Sequence, residues 1–162
     1  MSSRIIDVNG KEIKLEANGA TPHIYKQIFH KDLFKIVPNI LNIFSERGIS
    51  LSKTMKAAET WNELESDDGK ELMLGQADAI FPALSVAIEA GLPELLEEVA
   101  FVMNMQSERP LRECLQLNSM NFIEWTAEFP PNAFLMKFTD IGGLYFENFK
   151  TTSKEKNIIA LQ

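Results

Sequence analysis

Residue types that carry chemistry are scarce in this chain of 162 residues. Cys114 is the single cysteine, so no internal disulfide can form and the chain suits a reducing compartment. The two histidines, His23 and His30, stand seven positions apart. Helical zinc pairs usually stand four apart and need further ligands, which no recognisable cluster supplies. The sequence therefore predicts neither a disulfide scaffold nor a metal centre.

Long apolar runs are also missing. The longest uncharged apolar stretch lies around 79–88, far short of the roughly 20 residues that cross a bilayer. The N-terminus reaches an acid, Asp7, before the apolar region of a signal peptide could develop. We therefore expect no membrane-spanning segment and a location in the cytoplasm.

The composition is that of an ordinary globular protein, with 45% hydrophobic and 24% charged residues. A chain of this length fits one domain, which we assign to residues 1–150, followed by a polar C-terminal tail over 151–162. No internal repeat or low-complexity linker divides it.

The net charge of −7 is unevenly distributed. Residues 1–58 hold nine basic and five acidic side chains, whereas residues 59–98 hold eleven acids against Lys70 alone. An acidic middle repels a phosphate backbone, so nucleic acid is a poor partner. The simplest interpretation of this acidic segment is a solvated face.

The start of the chain predicts a β-hairpin over residues 4–15. Asn9-Gly10 is a favoured pair for a type I′ turn because both central residues need positive φ, and apolar residues alternate with polar ones on both sides. An isolated two-stranded ribbon is only marginally stable. We therefore expect helices to pack on one face of the hairpin.

Helices are predicted from about residue 21 onward. Thr21 is expected to cap the first, with Pro22 at its first position, and Asp32 to cap the second, which runs toward Gly48. Pro38 predicts a kink or a restart within that second helix.

Further helices are predicted over 51–64 and 70–90, then after Gly91, then from a cap at Ser119, with a final helix weakened at Gly142-Gly143. The expected fold class is α+β and predominantly α-helical, with the N-terminal hairpin packed against a helical bundle.

Catalysis has little support in the residue pattern. Glu113 beside Cys114 would raise the pKa of the thiol, so a half-buried structural cysteine is the better interpretation than a nucleophile. The acid pair Glu97-Glu98 points in two directions on a helix and does not form a general acid–base pair. We expect a protein that is not an enzyme and needs no cofactor.

Aromatic residues are more numerous in the last thirty residues than one helix face requires. Tyr145, Phe146 and Phe149 widen the apolar stripe of the final helix. Either this helix is buried on several sides, or part of it is a surface for partner binding or self-association, because exposed apolar patches usually mark interaction sites.

Five blocks of the sequence, in this order and spacing, resemble the tail assembly chaperones of long-tailed phages and prophages of Gram-positive bacteria. They are NGKEIKL (9–15), ATPHIYKQIF (20–29), EVAFVMNMQ (98–106), FIEW (122–125) and FENFKTTSK (146–154). Together they extend over most of the chain. Two features depart from the family pattern, since 49–92 is longer than expected and Phe146 stands where tryptophan is more familiar.

The resemblance implies a non-enzymatic chaperone that keeps the tape-measure protein soluble while the tail tube polymerises in the cytoplasm of the bacterial host, and that is absent from the mature virion. It also implies contact with the major tail (tube) protein, self-association into a homo-oligomer, and a longer frameshifted form if the codons near Lys156 contain a slippery heptamer. The alternative is a small acidic adaptor or regulatory protein of a prophage, which binds a single protein partner.

Overall fold

The structure is a computed structural model that describes residues 2–56, 81–131 and 133–147. Its elements, in chain order, are strands β1 (Ser2–Val8) and β2 (Lys11–Ala17), helices α1 (Thr21–Phe29), α2 (Leu33–Glu46), α3 (51–56), α4 (81–89), α5 (Leu92–Glu108), α6 (Leu111–Cys114) and α7 (Ser119–Thr126), a 3-10 turn (Leu135–Lys137), and helix α8 (138–147). The predicted fold class, mainly helical with an N-terminal hairpin packed on helices, is confirmed.

The hairpin forms around the predicted turn. Asn9 and Gly10 have φ values of 53° and 85°, as a type I′ turn requires, and the Gly10 amide donates to Asp7 Oδ1 at 2.8 Å. The strands pair antiparallel with Ile6 opposite Ile13, and pairing continues to Ser2 opposite Ala17, two residues beyond the predicted limits at each end. Apolar side chains line one face and are buried: Ile6, Val8, Ile13, Leu15 and Ala17.

Helix α5 packs on that face and is the centre of the molecule. It contacts β2, α1, α6, α7 and the 3-10 turn. Its residues from 98 to 105 are all buried, so the helix is enclosed on every side rather than along one stripe. The buried amide of Asn104 illustrates this, since its Nδ2 donates to the Lys14 carbonyl at 2.9 Å while its Oδ1 accepts from Trp125 Nε1 at 3.0 Å.

Aromatic rings fill the space between α5, α7 and the 3-10 turn. Trp125 stacks on Phe134 with centroids 5.1 Å apart and meets Phe101 edge-on at 5.5 Å. Phe134 and Phe138 are buried. For these residues the aromatic surplus near the C-terminus is therefore core packing, which was one of the two sequence interpretations.

Two predicted helix caps are corrected by the structure. Thr21 is the first residue of α1, and its hydroxyl donates to Gln106 Oε1 at 2.7 Å instead of capping the helix. Asn118, not Ser119, caps α7, because its Oδ1 accepts from the amides of Met120 and Asn121. The Asp32 cap is confirmed, with Oδ1 accepting from the Phe34 amide at 2.9 Å.

Helix α2 passes through Pro38 without restarting, because the exposed proline costs one hydrogen bond while the apolar side of the helix stays packed. Helix α8 likewise runs through Gly142 and Gly143. Of the predicted middle helices, the described parts 51–56 and 81–89 are helical, and the rest lies outside the described residues. None of the described helices is long and apolar enough to cross a bilayer.

Candidate functional site

An apolar groove opens to solvent between α2, α5 and α8. The surface that lines it is apolar. The lining residues are Leu33, Val37, Ile40 and Leu41 from α2, Leu51 from α3, Leu92, Leu95, Leu96 and Val99 from α5, and Phe138, Ile141, Gly142, Tyr145 and Phe146 from α8.

Helix α2 supplies one wall because its apolar residues recur at helical spacing. Leu33, Val37, Ile40 and Leu41 fall at i, i+4, i+7 and i+8, which places them on one face. Leu33 and Ile40 are buried in the floor, whereas Leu41 is 39% exposed at the rim. This wall is therefore partly core and partly accessible surface.

Helix α8 supplies the opposite wall and carries two of the three residues predicted as a binding surface. Tyr145 and Phe146 are half-buried and line the groove, with ring centroids 5.5 Å apart and ring planes at 80°. Phe149 lies outside the described residues. The structure thus brings Tyr145 and Phe146 to one accessible apolar surface.

Gly142 of α8 lies close to the ring of Phe138, one turn earlier in the same helix. A Cβ at this position would lie 3.2 Å from Phe138 Cε1 and 3.4 Å from the methyl group of Met55, so a side chain there would crowd the Phe138 ring and touch Met55. The sequence predicted this glycine as a weak point of the final helix, but it lies within the continuous helix α8 and lines the groove beside Phe138.

The first turns of α5 bring acidic side chains to the groove. Glu94 and Glu97 flank Leu95 and Leu96, which line it. Burial, together with the charges of Glu94 and Glu98, raises the pKa of Glu97. One end of the groove therefore carries a concentration of negative charge.

Glu98 itself is buried and fully paired. Its carboxylate accepts from the Tyr25 hydroxyl at 2.6 Å and from Lys31 Nζ at 3.0 Å, and the residue is 2% exposed. Burial and this hydrogen bond raise the pKa of Tyr25 well above its usual range. Because both carboxylate oxygens are bound, Glu98 acts as a structural tie between α1 and α5, not as a free base.

On the α8 side of the groove, burial and the nearby charge of Asp32 raise the pKa of the Tyr145 phenol. Asp32 is the residue that caps α2, and Lys31 and Lys35 stand near it in the sequence, so this end of the groove carries charges of both signs. Lys35 is the one basic residue within α2. A partner that places basic side chains beside apolar ones would match the α5 end of the groove, where Glu94 and Glu97 stand.

The other candidates for chemistry do not form a reactive site. Cys114 is fully buried, not half-buried as predicted, and burial raises the pKa of its thiol, with Glu113 adding to the rise while Arg109 opposes it. Within residues 2–56, 81–131 and 133–147, no three His, Cys, Asp or Glu side chains converge as a metal site.

The size of the groove limits what it can hold. Its cavity volume is about 60 Å³, which is room for roughly one or two aliphatic side chains and not for an enclosed cofactor. An open, apolar trough between helices is the arrangement that receives the side chains of an amphipathic helix.

The sequence did not indicate the α2 and α5 walls as parts of a site. Their apolar residues have the helical spacing of ordinary core residues. Leu41 and Leu95 differ from fully buried core residues only in that their side chains are partly exposed in the structure. A second set of exposed apolar residues lies away from the groove, on and beside α6 and α7: Leu111, Leu115, Met120 and Ile123.

No protein-family model, curated protein or solved structure matches this chain.

Proposed function

We propose that the protein is a non-enzymatic tail assembly chaperone that binds the tape-measure protein and keeps it soluble in the bacterial cytoplasm during tail tube assembly. The observation that carries the proposal is the accessible apolar groove lined by Tyr145 and Phe146. A tape-measure protein is a long helical client with apolar stripes, and such stripes need an apolar surface to cover them before the tube closes.

The binding mode is a helix laid into the groove. Leu41, Leu95 and Phe146 stand at the rim and would contact side chains of the client, while the buried floor residues set the depth. The acids beside the groove favour a client helix whose apolar stripe is flanked by lysine or arginine. Binding should therefore weaken at high salt, because the flanking contacts are exposed and screened.

The test is co-expression with the tape-measure protein encoded beside this gene. The soluble fraction of the client should rise strongly with the wild-type chain. A client that stays equally insoluble with and without the chain would overturn the proposal. Gene order offers a second check, since a chaperone gene should lie between a tail-tube gene and a very long tape-measure gene.

Variants assign the binding to the groove. Leu41→Asp and Phe146→Asp should each weaken client binding about tenfold or more, because a charge at an apolar anchor removes at least roughly 1.4 kcal/mol. Ile123→Asp is the matched control, since Ile123 is exposed on α7 and does not line the groove. Circular dichroism must show an unchanged fold for all three variants.

The alternative function is a small acidic prophage adaptor that binds a single protein partner. The same groove would serve it, so the partner distinguishes the two. An adaptor would bind a protein from outside the tail-assembly genes at the groove and would leave the solubility of the tape-measure protein unchanged.

A further inference from the structure

The two outer edges of the hairpin differ. In a hairpin with a two-residue turn, the two residues that flank the turn exchange backbone hydrogen bonds, and here these residues are Val8 and Lys11. From this pair onward, the backbone N–H and C=O groups of successive residues point alternately toward the partner strand and away from it. The backbone groups of Ser3, Ile5 and Asp7 therefore point away from β2, and those of Glu12, Lys14 and Glu16 point away from β1.

The outer edge of β2 is occupied by α5. Asn104 Nδ2 donates to the Lys14 carbonyl at 2.9 Å, and the Ser107 hydroxyl lies 2.8 Å from the same oxygen. These contacts lie at the middle of the strand, so a further strand cannot continue along this edge.

The outer edge of β1 is unpaired within the part of the chain that the structure describes. Among residues 2–56, 81–131 and 133–147, no hydrogen bond reaches the outward backbone groups of Ser3, Ile5 or Asp7. Ile5, at the centre of this edge, is 65% exposed, and it is the most exposed of the large apolar side chains described. An open edge with an exposed apolar residue at its centre is a template for strand addition.

We propose that a second copy of this chain pairs with β1 in antiparallel fashion about a two-fold axis at Ile5, which joins the two hairpins into a four-stranded sheet. In this register Ile5 lies opposite the same residue of the second copy, and Ser3 lies opposite Asp7. Each of these outward pairs exchanges two hydrogen bonds, and no other antiparallel register engages all of them.

The charges along β1 suit a second copy in this orientation. Asp7 meets the Ser3 hydroxyl, and on the inner face Arg4 meets Ile6, so no like charges stand opposite each other. Parallel pairing in register would instead place Asp7 beside Asp7 and Arg4 beside Arg4. Arg4 is also held toward α8 by Asp140 and Glu147, at 3.3 and 3.4 Å, which keeps its charge off the edge.

Cysteine crosslinking of the full chain tests the register. At the two-fold axis the two Ile5 Cα atoms would lie roughly 5.5 Å apart, within the range of a disulfide. Ile5→Cys should therefore give a disulfide-linked dimer rapidly under mild oxidation. Lys14→Cys is the matched control, because Lys14 is the exposed cross-strand neighbour of Ile5 but would lie roughly 14 Å from its counterpart. The native Cys114 is buried and should not contribute.

Proline substitution tests the hydrogen bonds. Ile5→Pro removes an outward amide of β1 without touching the ladder to β2, whereas Glu12→Pro removes an outward amide of β2. By light scattering at micromolar concentration, the wild type and Glu12→Pro should be dimers and Ile5→Pro a monomer, all with the same circular dichroism.

Three results would overturn the proposal: a monomeric wild type, equal crosslinking of the Ile5→Cys and Lys14→Cys variants, or identical behaviour of the two proline variants. A monomeric wild type would leave the β1 edge to an extended segment of another protein. Because client binding is measured separately at the groove, failure here does not bear on the proposed chaperone function.

Discussion

The Tyr25 hydroxyl donates a 2.6 Å hydrogen bond to Glu98 Oε2, between α1 and the central helix. The carboxylate is buried, and Lys31 binds its other oxygen. A buried charge loses its hydration, so each hydrogen bond replaces water that the folded state excludes. The pair therefore ties two helices together only while both partners remain.

Tyr25→Phe should lower the free energy of unfolding by about 1–3 kcal/mol, because Glu98 then keeps a buried oxygen without a donor. A double-mutant cycle with Glu98→Leu separates this coupling from lost packing. The double variant should be more stable than the sum of the single losses predicts, as urea unfolding will measure. Losses that add within about 0.5 kcal/mol would show that the two residues are not coupled.

Alkaline pH should destabilise the protein through its two tyrosines. Burial is the main cause that raises the pKa of Tyr25 and of Tyr145, with Glu98 and Asp32 adding to it respectively. Below pH 10, the ordinary pKa of tyrosine, both phenols are protonated in the folded and in the unfolded protein. Their contribution to the free energy of unfolding is therefore fully present at these pH values. Above it the unfolded chain ionises first, and stability falls.

The tyrosinate absorbance of the folded protein should therefore stay flat past pH 10 and rise only as helical circular dichroism is lost. Half-complete ionisation at pH 10 with the fold intact would contradict this prediction. Tyr25→Phe provides the control, since its remaining absorbance change belongs to Tyr145 alone.

Glu97→Gln should stabilise the protein at pH 7 and leave it unchanged at pH 4. Burial and the charges of Glu94 and Glu98 raise the pKa of Glu97 in the folded protein. The contribution of Glu97 to the free energy of unfolding is therefore complete below the ordinary pKa of glutamate, and it is lost as pH rises through the raised pKa. The gain should be about a few tenths of a kcal/mol, because water screens a half-buried group. Thermal unfolding at the two pH values measures it, and Glu124→Gln on the exposed face of α7 is the control.

Alanine at the two glycines of α8 should give different results. Gly143→Ala should stabilise the helix by roughly 0.5–1 kcal/mol, since the nearest heavy atom to its Cβ is Arg4 Nη1 at 3.5 Å. Gly142→Ala should lose most or all of that gain, because its Cβ would lie 3.2 Å from the Phe138 ring, which would have to shift. Equal stabilisation of both variants in chemical unfolding would show that this contact yields freely.

Much of the fold could be predicted because its signals are local. Asn9-Gly10 needs no distant contact to form its turn, and Asp32 caps the helix that follows it directly. The predicted cap at Thr21 was wrong because its hydroxyl is bound by Gln106, 85 residues away in the sequence. The depth of burial of α5 likewise depends on five elements that meet in space.

The candidate site was predictable only on one side. The sequence pattern indicated Tyr145 and Phe146 because they widen the apolar face of the final helix beyond what packing on the core needs. The opposing residues, such as Leu41 and Leu95, have the spacing of ordinary core residues on their own helices, so the pattern did not indicate them. Which apolar residues remain accessible is decided by how closely three helices approach one another.

The contacts of Asn104 and Ser107 with the Lys14 carbonyl also bear on how far an assembly of this chain could grow. A subunit with two unpaired sheet edges can polymerise without limit, whereas a subunit with one unpaired edge uses that edge when it forms a dimer. Asn104 and Ser107 of α5 thus block the outer edge of β2 against further strand pairing. If β1 pairs with a second copy as proposed, the assembly should therefore stop at a dimer and not grow into a fibre.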